Sequence, residues 1–118
     1  MAVKEIKGDG YAIEHNDAEH IVSFRGIIRL QNTDDYAPVT DLLNEAHAVA
    51  GNGKLTLDFR QLQFLNSSGI NAVSKFVIAA RKEDKIRMVV LGNQEIYWQQ
   101  KSLANLSKLW PKVQVEIA

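Results

Sequence analysis

The stretch from Leu55 to Leu91 constrains the fold most, because its hydrophobic period changes twice. Leu55, Leu57 and Phe59 alternate with Thr56, Asp58 and Arg60, the two-residue repeat of a strand, and Leu62, Phe64 and Leu65 continue into the apolar interior. Asn66-Ser67-Ser68-Gly69 then supplies helix-starting residues, after which Ile70, Val73, Phe76, Val77 and Ala80 recur on one helical stripe. Arg81 and Lys82 place cations where a helix C-terminus favours them. Ile86, Met88, Val89, Val90 and Leu91 follow as a near-continuous apolar strand of the kind buried on both faces. Strand, helix and strand in this order predict a right-handed crossover joining parallel strands, so the chain is expected to be an α/β protein.

The flanking segments extend that unit. Tyr11 and Ile13, then Ile21, Phe24, Ile27, Ile28 and Leu30, are two β-rich stretches around the polar run from His15 to Glu19, which predicts an opening hairpin. Gln31-Asn32-Thr33-Asp34-Asp35 offers capping side chains, and Val39, Leu42, Leu43, Ala46, Val49 and Ala50 then predict a first helix. With Asp35 or a near neighbour as its cap, Pro38 falls in the first turn, where a missing N–H costs nothing; Gly51 and Gly53 end the helix. After Gly92-Asn93, Ile96, Leu103, Leu106 and Trp110 can share one face of a third helix, stopped by Pro111. Val113, Val115 and Ile117 make a last strand. The expected order is ββαβαβαβ: a mixed sheet of about five strands covered by about three helices, with one hairpin strand running against the others. At 118 residues, this is the size of one domain spanning positions 1–118.

Composition narrows the function. Fourteen Lys plus Arg balance fourteen Asp plus Glu, so no global field gathers nucleic acid, and a nucleic-acid binder is not expected. The absence of cysteine removes disulfides and thiolate metal sites and fits a cytoplasmic protein. The start Met1-Ala2-Val3-Lys4-Glu5-Ile6-Lys7 lacks a signal-peptide core, and no apolar run is long enough for membrane insertion. His15, His20 and His47 have no metal-site spacing and read as solvent-exposed structural residues. Neither Ser67 nor Ser68 sits in a nucleophile elbow, and Gly8-Asp9-Gly10 precedes a strand rather than linking a strand to a helix, so the expectation is no catalytic residue, no cofactor and no metal. Trp110 reads as a packing residue, whereas adjacent Tyr97 and Trp98 cannot face the same way on a helix, leaving one as an exposed contact.

Asn66-Ser67-Ser68-Gly69 admits two uses. Its Asn and Ser side chains can accept hydrogen bonds from the first backbone N–H groups of the helix, with Gly69 allowing close packing. The same helix start can stabilise an added phosphate, which brings about two negative charges to a surface that a partner must touch.

From Leu55 to Ile70 the chain resembles the STAS domain family, of the anti-sigma factor antagonist type: an apolar strand, an Asp-containing turn and a signature of the form Asp-Ser-Ser/Thr-Gly-Leu/Ile. Phe24-Arg25-Gly26-Ile27-Ile28-Arg29-Leu30 and Ile86-Arg87-Met88-Val89-Val90-Leu91-Gly92-Asn93 resemble strands of the same family. The resemblance implies phosphorylation at Ser67 and partner binding by Asn66, Ser67, Ser68, Gly69 and Ile70. It further implies a bacterial partner-switching cycle in transcription regulation, with a histidine-kinase-like serine kinase or anti-sigma factor as partner and a PP2C-type phosphatase resetting the protein. The chain itself would be a substrate and binder rather than an enzyme. Asn66 departs from the usual Asp and replaces a carboxylate by an amide that also donates. Related domains serve as constitutive adaptors or accessory subunits of transport systems, the alternative role.

Overall fold

Six strands form one sheet in sequence order, β1 (Val3–Gly8), β2 (Tyr11–Asn16), β3 (Ile21–Ile28), β4 (Lys54–Leu65), β5 (Arg87–Gly92) and β6 (Val113–Ile117), with β2 alone running against the rest. Helices α1 (Ala37–Ala50), α2 (Ser67–Glu83) and α3 (Tyr97–Leu109) fill the three crossovers from β3 to β6. This is a computed structural model that describes residues 3–118; Met1, Ala2 and the side chains of Val3 and Thr33 lie outside the described residues, so the expected domain limits 1–118 are described from residue 3. Three successive right-handed crossovers, each stepping to the next strand in the same direction, place all three helices on one face of the sheet.

The extra strand relative to the sequence expectation is β1. Val3 and Ile6, three positions apart among Lys4, Glu5 and Lys7, do not alternate and give a weak strand signal, and pairing with β2 is what fixes the segment as an edge strand. Edge lysines also deter a further strand from adding there. The first helix differs in its cap. Asn32 and Asp35 form a reciprocal capping box around a 3₁₀ turn at Thr33–Tyr36, and α1 starts only after it, with Pro38 in its first turn as expected and no side-chain cap on Tyr36.

The alternation in the sequence sorts side chains between the two faces. Ile13, Val22, Phe24, Leu55, Leu57, Phe59, Met88 and Val90 are buried under the helices against Leu42, Leu43, Val73, Phe76, Val77, Leu103 and Leu106. Phe24 and Phe59 stack at 4.5 Å between centroids in the middle of that layer. Trp110 is buried as expected, but Val49, counted in the apolar stripe of α1, is 46% exposed. On the helix-free face, Arg25 bridges Glu5 and Glu14, and Arg60 grips Asp58 at 2.8 Å. Burial opposes ionisation of Asp58, yet the hydrogen bonds and charge of Arg60 outweigh it and hold the carboxyl pKa below its ordinary value.

His15 corrects the expectation of exposed histidines. It sits on the core face of β2, 2% exposed, and its Nε2 has no hydrogen-bond partner. His20 and His47 are half-buried. The alternation that buries Ile13 buries His15 as well, because both point to the same side of the strand. Burial lowers the His15 pKa below 6.5, an effect that Asp17 and Glu45 only partly offset and that His20 and Lys4 reinforce. A depressed imidazole pKa means that the fold favours neutral His15, so this stabilisation is complete above pH 6.5 and is lost as pH falls from there through the lower folded-state value. Urea midpoints measured across that range should drop on acidification, and His15→Leu should flatten this part of the profile; an equally steep drop in the variant would assign the sensitivity elsewhere.

Candidate functional site

Strand β4 outruns β5. Its pairing with β5 ends at Asp58, while pairing with β3 continues to Leu65, so one edge of residues 60–65 lacks a strand neighbour. Side chains at the start of α3 take that place. Gln99, fully buried, donates from Nε2 to the carbonyls of Phe59 and Leu62 at 2.6 and 2.9 Å, and its Oε1 accepts the Asn93 N–H at 2.8 Å. The Trp98 indole N–H donates to the Gln63 carbonyl at 2.9 Å, which turns Trp98 inward and leaves Tyr97 84% exposed. Of the adjacent aromatic pair, Tyr97 is therefore the exposed member.

The overhang delivers the chain to Asn66, where the register of β3 and β4 ends. Asn66 is the N-cap of α2, in extended conformation, and its Oδ1 accepts the Gly69 N–H at 3.1 Å. The same oxygen accepts the hydroxyl of buried Tyr36 at 2.6 Å, and Nδ2 donates to the Leu30 carbonyl at 2.7 Å. One amide thus ties together the end of β3, the 3₁₀ turn and the first turn of α2. Burial raises the Tyr36 pKa above 10.0, which keeps its hydroxyl protonated as a donor. A carboxylate at position 66 could replace the acceptor but not the donor.

The five residues expected to bind a partner are contiguous but differ in access. Ser67 is exposed in the first residue of α2, and its hydroxyl has no hydrogen bond among the described residues. Asn66, Ser68 and Ile70 are half-buried. Gly69 is buried: a Cβ there would collide with the Leu65 side chain and come within 2.7 Å of the Tyr36 hydroxyl, so glycine is needed for space. Ile70 lines a narrow apolar gap with Leu65, Trp98 and Leu106 between α2 and α3. Beside the turn on the paired strands, Ile27 and Phe64 are opposite one another and partly exposed, and the Arg29 guanidinium lies 5.0 Å from the centroid of the Phe64 ring. Tyr36 and Gln99 were missing from the sequence reading; a Tyr directly after a capping run and a Gln within an otherwise apolar helix stripe were the available signals.

Among the described residues there is no group of three or more metal-ligating side chains, and no helix is long and apolar enough to cross a membrane.

No family model and no curated protein sequence matches the chain. Several solved structures do. SiaC of Pseudomonas aeruginosa is 20% identical with a TM-score of 0.63, over 100% of this chain and 97% of SiaC. In the complex of the diguanylate cyclase SiaD with its activator SiaC, from the same organism, the match is 18% identical with a TM-score of 0.64, over 98% and 99%. An anti-sigma factor antagonist from Mycobacterium paratuberculosis is 19% identical with a TM-score of 0.57, over 96% and 86%. The chain has a STAS-like fold, with a sixth strand beyond the expected five.

The Asn66 network makes a direct prediction. Asn66→Asp places a carboxylate oxygen against the Leu30 carbonyl and removes a donor, which should cost about 1–3 kcal/mol. Tyr36→Phe, which leaves the Gly69 bond in place, should cost only about 0.5–1.5 kcal/mol. Urea unfolding of both variants checks the order, and an Asn66→Asp midpoint equal to the parent would show that the bond to Leu30 contributes nothing.

Proposed function

We propose that this chain is a non-catalytic regulator that works by binding another protein, and that phosphorylation of Ser67 switches that binding. The observation that carries this reading is the contrast within the turn: every polar group of the Asn66 side chain is engaged, whereas the hydroxyl next to it is exposed and free. A phosphate on Ser67 would meet unpaired N–H groups of the first helical turn without breaking the cap, so modification need not unfold the turn. It would alter the surface instead. The fold-level neighbours support a binding role: SiaC is the activator of a diguanylate cyclase and is found in complex with it, and the mycobacterial neighbour is an anti-sigma factor antagonist.

In this cycle the unphosphorylated form binds through the turn from Asn66 to Ile70, with Gly69 shaping that surface from beneath. A histidine-kinase-like serine kinase or anti-sigma factor is the partner, a PP2C-type phosphatase restores the bound form, and the cycle belongs to the cytoplasm. Added charge at Ser67 would release the partner by repulsion and by the cost of desolvating phosphate in the interface. The whole 3–118 unit acts as one domain around a single core.

A second reading, a constitutive adaptor or accessory subunit, draws on Asn66 itself. Both ends of its amide are used in holding the fold, which accounts for the turn without any modification.

Incubation with candidate genomic-neighbour kinases and ATP, followed by peptide mass spectrometry, should find phosphate on Ser67 and none in Ser67→Ala. Ser67→Asp should bind the partner at least about tenfold more weakly than Ser67→Ala, equivalent to about 1.4 kcal/mol. Equal affinity of the two variants, with no phosphate on Ser67, would leave the adaptor reading in its place.

A further inference from the structure

The zero net charge conceals a division within the helix layer. From Asn32 to Gly53, which contains α1, there are Asp34, Asp35, Asp41 and Glu45 but no Lys or Arg. Residues 67–82 of α2 and 97–109 of α3 contain no Asp or Glu. Lys75 and Lys82 are seven positions apart on α2, and Lys101 and Lys108 are seven apart on α3, so each pair shares one side of its helix. All four are exposed, and none has an ion-pair partner among the described residues.

The same two stripes carry the exposed groups at the helix starts. At 3.6 residues per turn, Ser67, Lys75 and Lys82 fall within a sector of about 80°, and Tyr97, Lys101 and Lys108 within about 40°. The helices are neighbours on one face of the sheet, their axes at about the 8–10 Å separation of packed helices, so the stripes run side by side.

We infer that the outer faces of α2 and α3 form one docking surface for an acidic protein surface, with Lys75, Lys82, Lys101 and Lys108 as its counter-charges and Tyr97 as its aromatic anchor. This rests on the proposed binding role and names the chemistry of the partner. Ser67 heads the α2 stripe, so a phosphate there turns the end of a basic surface negative and opposes the acidic partner it attracts. A bounded protein surface fits better than a lipid plane or a long polyanion, because a broad anionic surface laid on the helix layer would also meet exposed Asp34 and Asp41 on the segment beside α2, although Glu45 is paired with Lys4 at 2.7 Å.

The test uses the full chain, ¹⁵N-labelled, and a helical peptide presenting glutamates on one face, with its glutamine counterpart as the neutral probe. Chemical-shift mapping should place the acidic peptide on α2 and α3 and show no saturable binding of the neutral one. Changing all four lysines to Gln should weaken binding about tenfold or more, since several exposed charge pairs add up to that factor, and Ser67→Asp should weaken it in the same direction. Circular dichroism confirms that the variants fold. The inference is overturned by the absence of acidic-peptide binding, by shifts centred on another face, or by tighter binding to phosphatidylglycerol vesicles or duplex DNA than to the peptide. Salt-sensitive self-association abolished by Asp41→Asn would also overturn it, by making a second copy the occupant. Lysine-dependent binding of a Ser67 that no kinase modifies supports this surface while removing the phosphorylation switch; partner release by phosphate with no effect of the lysine changes does the reverse.

Discussion

Past Asp58, strand β4 has no β5 neighbour, and its carbonyl groups must find donors elsewhere. Buried carbonyls left without donors would each cost on the order of 1–3 kcal/mol. The segment after β5 and the start of α3 supply them through Asn93, Trp98 and Gln99, which reach the carbonyls of Phe59, Arg60, Leu62 and Gln63. Gln99 is suited to this because its amide donates twice to β4 while accepting from the Asn93 backbone. The extended end of β4, and hence the position of Asn66 and Ser67, depends on this side-chain substitute for a strand.

The other side of the overhang is held by β3. Gly26 lies there at φ +91°, and the register shifts on either side of it; a Cβ at this position would run into the Gly10 carbonyl, which accepts the Ile27 N–H at 2.9 Å. This close approach of the β1–β2 turn lets β3 follow β4 to the level of the α2 N-terminus. Asn66 then joins the end of β3 to the helix. The exposed serine is therefore presented by a hydrogen-bonded frame, with strand pairing on one side and side-chain hydrogen bonds on the other. The backbone of the turn is held by contacts that do not involve the Ser67 hydroxyl.

Much of this was legible in order and period. The change from alternation in Leu55–Phe59 to the helical stripe of Ile70–Ala80 marked the strand, the turn and the helix, and Asn66 as a helix-capping residue follows from its place before that stripe. The charged β1 was not legible, since Val3 and Ile6 are three positions apart and show no two-residue alternation, and only pairing with β2 defines the strand. His15 was misread because a polar type in a polar run suggests solvent, whereas the pleat of β2 alone decides which way it points.

By itself the sequence determined the element order from β2 onward, the mixed sheet and the location of the serine turn at a strand-to-helix junction, because hydrophobic period and capping chemistry act over a few neighbouring residues. Only the tertiary structure decided that Asn66 bonds to Leu30 and Tyr36, that Gln99 completes the edge of β4, and that α2 and α3 pack against each other. Those partners lie tens of residues apart in the chain. No local preference encodes them, and they meet because same-direction crossovers set the three helices side by side on one face of the sheet.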